Sequence, residues 1–140
     1  MMRYLTILAP ALGLLALAAL PADAQWAPAT SCDDAAGYEL ENCLTKAITS
    51  ADAALNAAYR KAEATIEADT DMAAADKKTW QDNLVAAQRA WIAFRDTNCK
   101  FELIGAEWNN GSGTTSAQQA CVLAMTLQRT DELTKRYTSN

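Results

Sequence analysis

The sequence predicts an all-α fold: a small bundle of three main antiparallel helices with two disulfides, preceded by a signal peptide. Three observations carry that reading. Apolar residues recur at intervals of three and four through long stretches that contain neither Gly nor Pro. Those stretches are rich in alanine and other good helix formers. Four cysteines remain once the leader is removed, in a chain too short to bury a large core unaided.

The leader comes first. Arg3 supplies a positive start, Tyr4 to Leu20 is almost wholly apolar, and Pro21-Ala22-Asp23-Ala24 provides a small-x-small cleavage signal. This pattern predicts a secretory signal peptide, residues 1–24, cut after Ala24. The apolar run is short for a membrane span, and no cysteine directly follows the cut to take a lipid. The expectation is a periplasmic or secreted protein with no membrane span after cleavage, forming a single domain over residues 25–140.

Gln25 to Ala36, with Pro28 and Cys32, reads as an extended lead-in. Gly37 is placed as the N-cap of the first helix, a weaker choice than Ser, Thr, Asp or Asn. That helix is expected from Tyr38 to about Ala68, with Leu44, Ile48, Ala51, Leu55, Ala58 and Ile66 on its apolar stripe. Asp69-Thr70-Asp71 follows as a polar turn that also caps the next helix. The second helix should run from about Met72 to Ile104 and take the centre of the bundle. Its large residues fall on the stripe Trp80, Leu84, Ala87, Trp91, Phe94, Asn98 and Phe101, with Gln88, Ile92, Arg95 and Cys99 on the adjoining face. Gly105 to Ser116 is the Gly-rich loop. A third helix spans about Ala117 to Tyr137, with Ala120, Ala124, Leu127 and Thr130 or Asp131 on one side, flanked by Leu123 and Leu133.

In an exported chain Cys32, Cys43, Cys99 and Cys121 are expected to be oxidised, with three possible connectivities. Cys43 and Cys99 are equally far from the first turn, and Cys99 and Cys121 from the Gly-rich loop. In antiparallel hairpins this gathers all three at one end. The preferred pairing is Cys32–Cys43 with Cys99–Cys121; Cys43–Cys99 with Cys32–Cys121 stays open.

Composition excludes several chemistries. With no histidine there is no ordinary Ser-His-Asp or Cys-His arrangement, and no close cysteine pair offers a zinc site. The pairs Asp33-Asp34 and Asp69 with Asp71 sit in lead-in and turn segments rather than across a cleft. No enzyme activity, metal or cofactor is expected. The net charge of -5 argues against nucleic acid and permits a basic protein partner.

Two groups of residues remain as candidates. Asp52, Asn56 and Tyr59 on the first helix, with Gln88, Arg95 and Asp96 on the second, border the apolar stripes. They read as a hydrogen-bonded network, for instance Arg95 with Asp52, and Asp96 with a backbone group or Arg129. A half-buried guanidinium needs several acceptors. In the loop, Glu107, Trp108, Asn109, Asn110 and Ser112 combine an aromatic anchor with small, adaptable donors, and form the candidate partner-binding surface. The alternative is a mere connection with Trp108 folded back onto the core.

Three strings carry a resemblance. They are Ala51-Asp52-x-x-Leu55-Asn56-x-x-Tyr59, then Ala87-Gln88-Arg89-Ala90-Trp91-x-x-Phe94-Arg95-Asp96-x-x-Cys99, then Cys121 followed by Thr126, Arg129 and Leu133. With Gly111-Ser112 between them, they resemble the lysozyme inhibitor LprI N-terminal domain family over nearly the whole mature chain. The resemblance implies an exported, all-helical, disulfide-bonded protein. It further implies a binding protein whose partner is a basic, animal-type lysozyme, inhibited by occlusion of its active-site cleft. The other expectation is an envelope interaction module without inhibitory activity. The motif residues Asp52, Leu55, Asn56, Tyr59, Gln88, Trp91, Phe94, Arg95, Asp96 and Arg129 fit structural roles in either case.

Overall fold

The computed structural model describes residues 25–101 and 103–138; the leader expected over residues 1–24 lies outside them. Helix α1 is Gly37–Ala68 and α2 is Ala74–Asp96. A π-helical turn, Thr97–Phe101, joins α2 to the short α3, Leu103–Glu107, and α4 is Thr114–Thr138. No helix among the described residues is long and apolar enough to cross a membrane.

Alanine and the absence of breakers let α1 run unbroken for 32 residues. Its N-cap is Ala36 rather than Gly37, with no side-chain cap bond. Gly37 instead opens the helix at φ +55°, a left-handed value that glycine adopts at little cost. The chain turns at Asp69, whose carboxylate accepts the N–H groups of Asp71 at 2.9 Å and Met72 at 3.1 Å. The expected aspartate cap of α2 does not form, because Asp69 is occupied within the turn and the N-cap is Ala73. Lys77 Nζ then reaches back to the Glu67 carbonyl at 2.8 Å, satisfying a carbonyl that the end of α1 leaves free.

The topology is up-down-up, so α1 and α4 lie parallel. Gln119 Nε2 donates to Thr45 Oγ1 at 3.1 Å, and one heptad later Asp52 and Thr126 meet the same guanidinium. The α1–α4 pairing is the most extensive in the fold, and α2 lies against it with fewer contacts. The central position belongs to that parallel pair, not to α2 as the aromatic stripe suggested.

Three packed clusters run along the bundle. At the far end Leu55, Ala62, Ile66, Leu84, Leu133 and Tyr137 pack with Trp80 and Trp91 at the margin. Leu44, Ala51, Ala120 and Leu123 join Cys32 in the second. Cys99, Ile104, Ala117, Cys121 and Val122 form the third. The disulfides are Cys32–Cys43 and Cys99–Cys121, the preferred pairing. The first pins the lead-in to α1, and the second ties the π turn to α4.

The inward face of α2 is rotated by one position from the expected stripe. Its buried residues are Leu84 and Arg95, while Ala87 and Phe94 face solvent. On α4 the buried face runs through Leu123, Thr126, Arg129 and Leu133, and Leu127 is exposed. Both shifts have one cause: each arginine finds enough acceptors inside to take a position that an apolar residue was expected to fill.

Candidate functional site

Of the motif residues, Asp52, Trp91 and Asp96 gather around Arg95, and Gln88 meets Arg129. Arg95 is only 9 % exposed. Its Nε and Nη2 donate to Asp96 Oδ1 at 3.1 and 3.0 Å, and its Nη1 to Thr126 Oγ1 at 3.3 Å and Asp52 Oδ1 at 3.5 Å. The guanidinium also lies 5.1 Å from the Trp91 ring centre, a cation–π contact. Thr126 passes its own proton to the Val122 carbonyl at 2.7 Å, so it can accept from the arginine. Asp96 takes a second cation, Lys100 Nζ, at 3.2 Å.

Arg129 forms the other centre. It donates to Gln88 Oε1 at 3.1 Å and to Glu132 Oε2 at 2.8 Å. The suggested Asp96–Arg129 contact is replaced by these partners, since Asp96 is already committed to Arg95 and Lys100. Glu132 was not singled out by the sequence; its spacing three residues after Arg129 was the available signal. Leu55 is buried, Asn56 is exposed and joins no network, and Tyr59 packs at the margin of the far cluster. Partial burial, and next the neighbouring Glu63 carboxylate, pushes the Tyr59 hydroxyl above its ordinary pKa. These contacts join α2 to α1 and α4.

The loop is a different kind of place. Regular structure covers part of the expected loop: α3 ends at Glu107 and α4 begins at Thr114. The tight connection between them is held by backbone bonds. Asn110 N–H donates to the Gly105 carbonyl at 2.9 Å, Gly111 N–H to Trp108 at 2.9 Å, and Thr114 Oγ1 to Gly111 at 2.8 Å. Asn109 and Asn110 both sit at φ +51°, a conformation asparagine tolerates better than other side chains. Trp108 is half-buried and forms the floor of the loop. Its indole Nε1 points to the Trp26 carbonyl at 3.4 Å, which lays the lead-in over it. Trp26 was missed because nothing in its local pattern foretells a contact with a residue so distant in sequence. Glu107 is half-buried, with Oε2 enclosed. Asn109, Asn110, Gly111 and Ser112 form the exposed tip.

Gly113 fixes this arrangement. It holds φ +94°, and a Cβ there would fall 2.7 Å from Trp108 Cζ3. Gly113→Ala should therefore expel the indole and destabilise the fold by about 1–2 kcal/mol. A loss of near-UV circular dichroism with an unchanged helical signal would register it; an unaltered tryptophan environment would contradict the packing described.

Among the described residues no cluster of three or more acidic or cysteine side chains could hold a metal. The loop is a braced polar tip above a disulfide-stapled base. The family model of the lysozyme inhibitor LprI matches residues 32–133, from the first cysteine to Leu133 on α4. The chain belongs to the LprI lysozyme inhibitor family. A relative in Rhizobium meliloti (strain 1021), described as an uncharacterized protein, is 38 % identical over 132 residues, covering 89 % of this chain and 91 % of its own. No solved structure matches. The LprI match spans both disulfides and both arginine centres. The two disulfides fit an extracytoplasmic LprI protein, since such bridges persist in oxidising compartments.

Proposed function

We propose that this protein binds a basic, animal-type lysozyme and inhibits it by seating the Asn109–Ser112 tip in the active-site cleft. The observation that carries the reading is the pre-organised tip. Two asparagine amides stand on a backbone fixed by hydrogen bonds, Gly113 and Trp108. Those amides have the donor–acceptor chemistry of the acetamido groups on the sugar chain that lysozyme cleaves. A rigid tip loses little conformational freedom on binding, which favours affinity. The chain's charge of -5 adds attraction for a basic enzyme and speeds encounter. Glu107 and Trp108 support the tip from beneath rather than making the contact.

The test is lysis of bacterial cell walls by lysozyme with purified mature protein in excess. Lysis should stop, and binding should weaken as salt rises. Asn109→Gly and Asn110→Gly retain the left-handed backbone and remove only the amides, so each should weaken binding about tenfold, near 1.4 kcal/mol. Unchanged lysis at large excess would end the reading. A pull-down from envelope extract that recovers an endogenous partner and retains no lysozyme would favour an interaction module instead.

A further inference from the structure

An open groove of about 580 Å³ lies between the lead-in, the first turns of α1, the Trp108 loop and the start of α4. Leu44, Ala117 and Ala120, all buried, form its floor, and Leu40 and Trp108 its apolar walls. Asp33 and Glu41 are the charged residues in its lining. Ser112 and Gly113 complete the loop side, so the groove borders the Asn109–Ser112 tip. The indole that supports the tip from beneath is therefore also a wall of the groove. An apolar lining with a few polar groups, at this size, is the usual form of a ligand pocket.

The distribution of charge identifies the occupant. Residues 25–45 contain Asp33, Asp34, Glu39 and Glu41 and no Lys or Arg; residues 103–128 contain Glu107 and no Lys or Arg. Removing Asp23 and these five from the 17 acidic residues leaves eleven, and removing Arg3 from the 12 basic residues leaves eleven. The whole net charge of -5 therefore belongs to the two stretches that line the groove. Glu41 is half-buried and, among the described residues, joins no ion pair. Asp33 is held in place by Thr30, whose N–H and Oγ1 donate to its Oδ1 at 3.0 and 2.8 Å. The partial positive charge at the α1 N-terminus, about half an elementary charge, is met by Glu39 in the first turn. Lys46, the nearest basic residue along α1, lines a different groove with Glu39, Asn42 and Cys43.

An anion is repelled from such a groove, and an apolar group would leave the Glu41 carboxylate desolvated without a partner. A cation on an aliphatic stem satisfies both the apolar walls and the carboxylate. Arginine suits the groove better than lysine. Its guanidinium is less strongly hydrated, donates two parallel bonds to one carboxylate and packs well on aromatic walls. We propose that the groove receives an arginine side chain of a basic protein partner, with its methylenes against Leu40 and Trp108 and its guanidinium on Glu41. The proposal rests on the reading that a basic partner meets the tip, and adds the residue that this partner presents beside it.

Titration of nitrogen-15-labelled residues 25–140 with Nα-acetyl-L-arginine amide reads the groove without lysozyme. The Trp108 indole N–H and the backbone N–H signals of Leu40, Glu41 and Ser116 should shift together, with a dissociation constant of order 1–10 mM for this single side chain. Nα-acetyl-L-citrulline amide, of the same shape without the charge, should bind about fivefold more weakly, as should the arginine probe to Glu41→Gln. The control Asp76→Asn, at an exposed position in the first turn of α2, should bind the probe as the wild type does. Shifts spread evenly over carboxylates outside the groove overturn the proposal. So does equal binding of the two probes, or undiminished binding by Glu41→Gln. Lysozyme separates the two readings. A wild type that takes the arginine probe in the groove but leaves lysis unchanged ends the lysozyme reading alone; one that stops lysis while the probe shifts nothing in the groove ends this proposal alone.

Discussion

Replacing Arg95 with methionine is expected to destabilise the protein by about 3 kcal/mol, measured by urea denaturation. The size follows from what remains behind. Methionine fills much of the volume but leaves Asp96 and Asp52 without their shared cation and Thr126 without its donor. Both carboxylates are partly reached by water, which holds the loss near the lower end for a broken buried pair. Arg95→Lys should lose about 1–2 kcal/mol, because a single ammonium cannot serve three acceptors that the planar fork reaches together. Replacing Asp96 by Leu alongside Arg95→Met should recover part of the deficit, since an apolar pair leaves fewer orphaned charges. A change within about 0.5 kcal/mol for Arg95→Met would show that the guanidinium does not join the three helices as described.

Removing the Cys99–Cys121 bridge as a pair of alanines should cost about 3 kcal/mol or more. Cys32–Cys43 should cost less. The first closes the longer segment, with a sequence separation of 22 against 11. Both of its sulfurs are fully buried, whereas Cys43 is only partly so. The longer bridge also fixes the base from which α3 and the Trp108 loop depart, so its loss should loosen the indole and abolish lysozyme binding if the tip makes the contact. Thermal melts of the two double variants test the ranking. An equal or larger loss from the lead-in bridge would reverse it.

The three long helices were legible because their determinants are local. Alanine-rich segments without Gly or Pro, with apolar residues at helical spacing, have one low-energy backbone whatever they pack against. The disulfide pairing was legible only as a preference: hairpin symmetry brings Cys43, Cys99 and Cys121 to the same end, and the structure joins Cys99 to Cys121 and Cys32 to Cys43. The cap of α2 was not, because Asp69 satisfies two turn N–H groups instead. The end of α2 was not either. Residues 97–101 carry no breaker, and the π turn forms where Cys99 must reach Cys121 while Arg95 stays inside. The candidate tip was named from composition, but the role of Trp108 as its floor depends on the distant Trp26 and on Gly113.

The sequence by itself determined the helices, the turn at Asp69, the Gly-rich connection, the oxidised cysteines and the family. Tertiary structure decided which side of each helix faces inward. A helical stripe fixes a face only to within one position, and the pairing of charged groups across helices sets the remaining choice. Arg95 goes in because Asp52, Asp96 and Thr126 converge on it, and Phe94 consequently goes out. Hydrophobicity alone ranks those two residues the other way; of the acceptors that reverse the order, Asp96 is the next residue, but Asp52 and Thr126 come from two helices lying far from Arg95 in the chain.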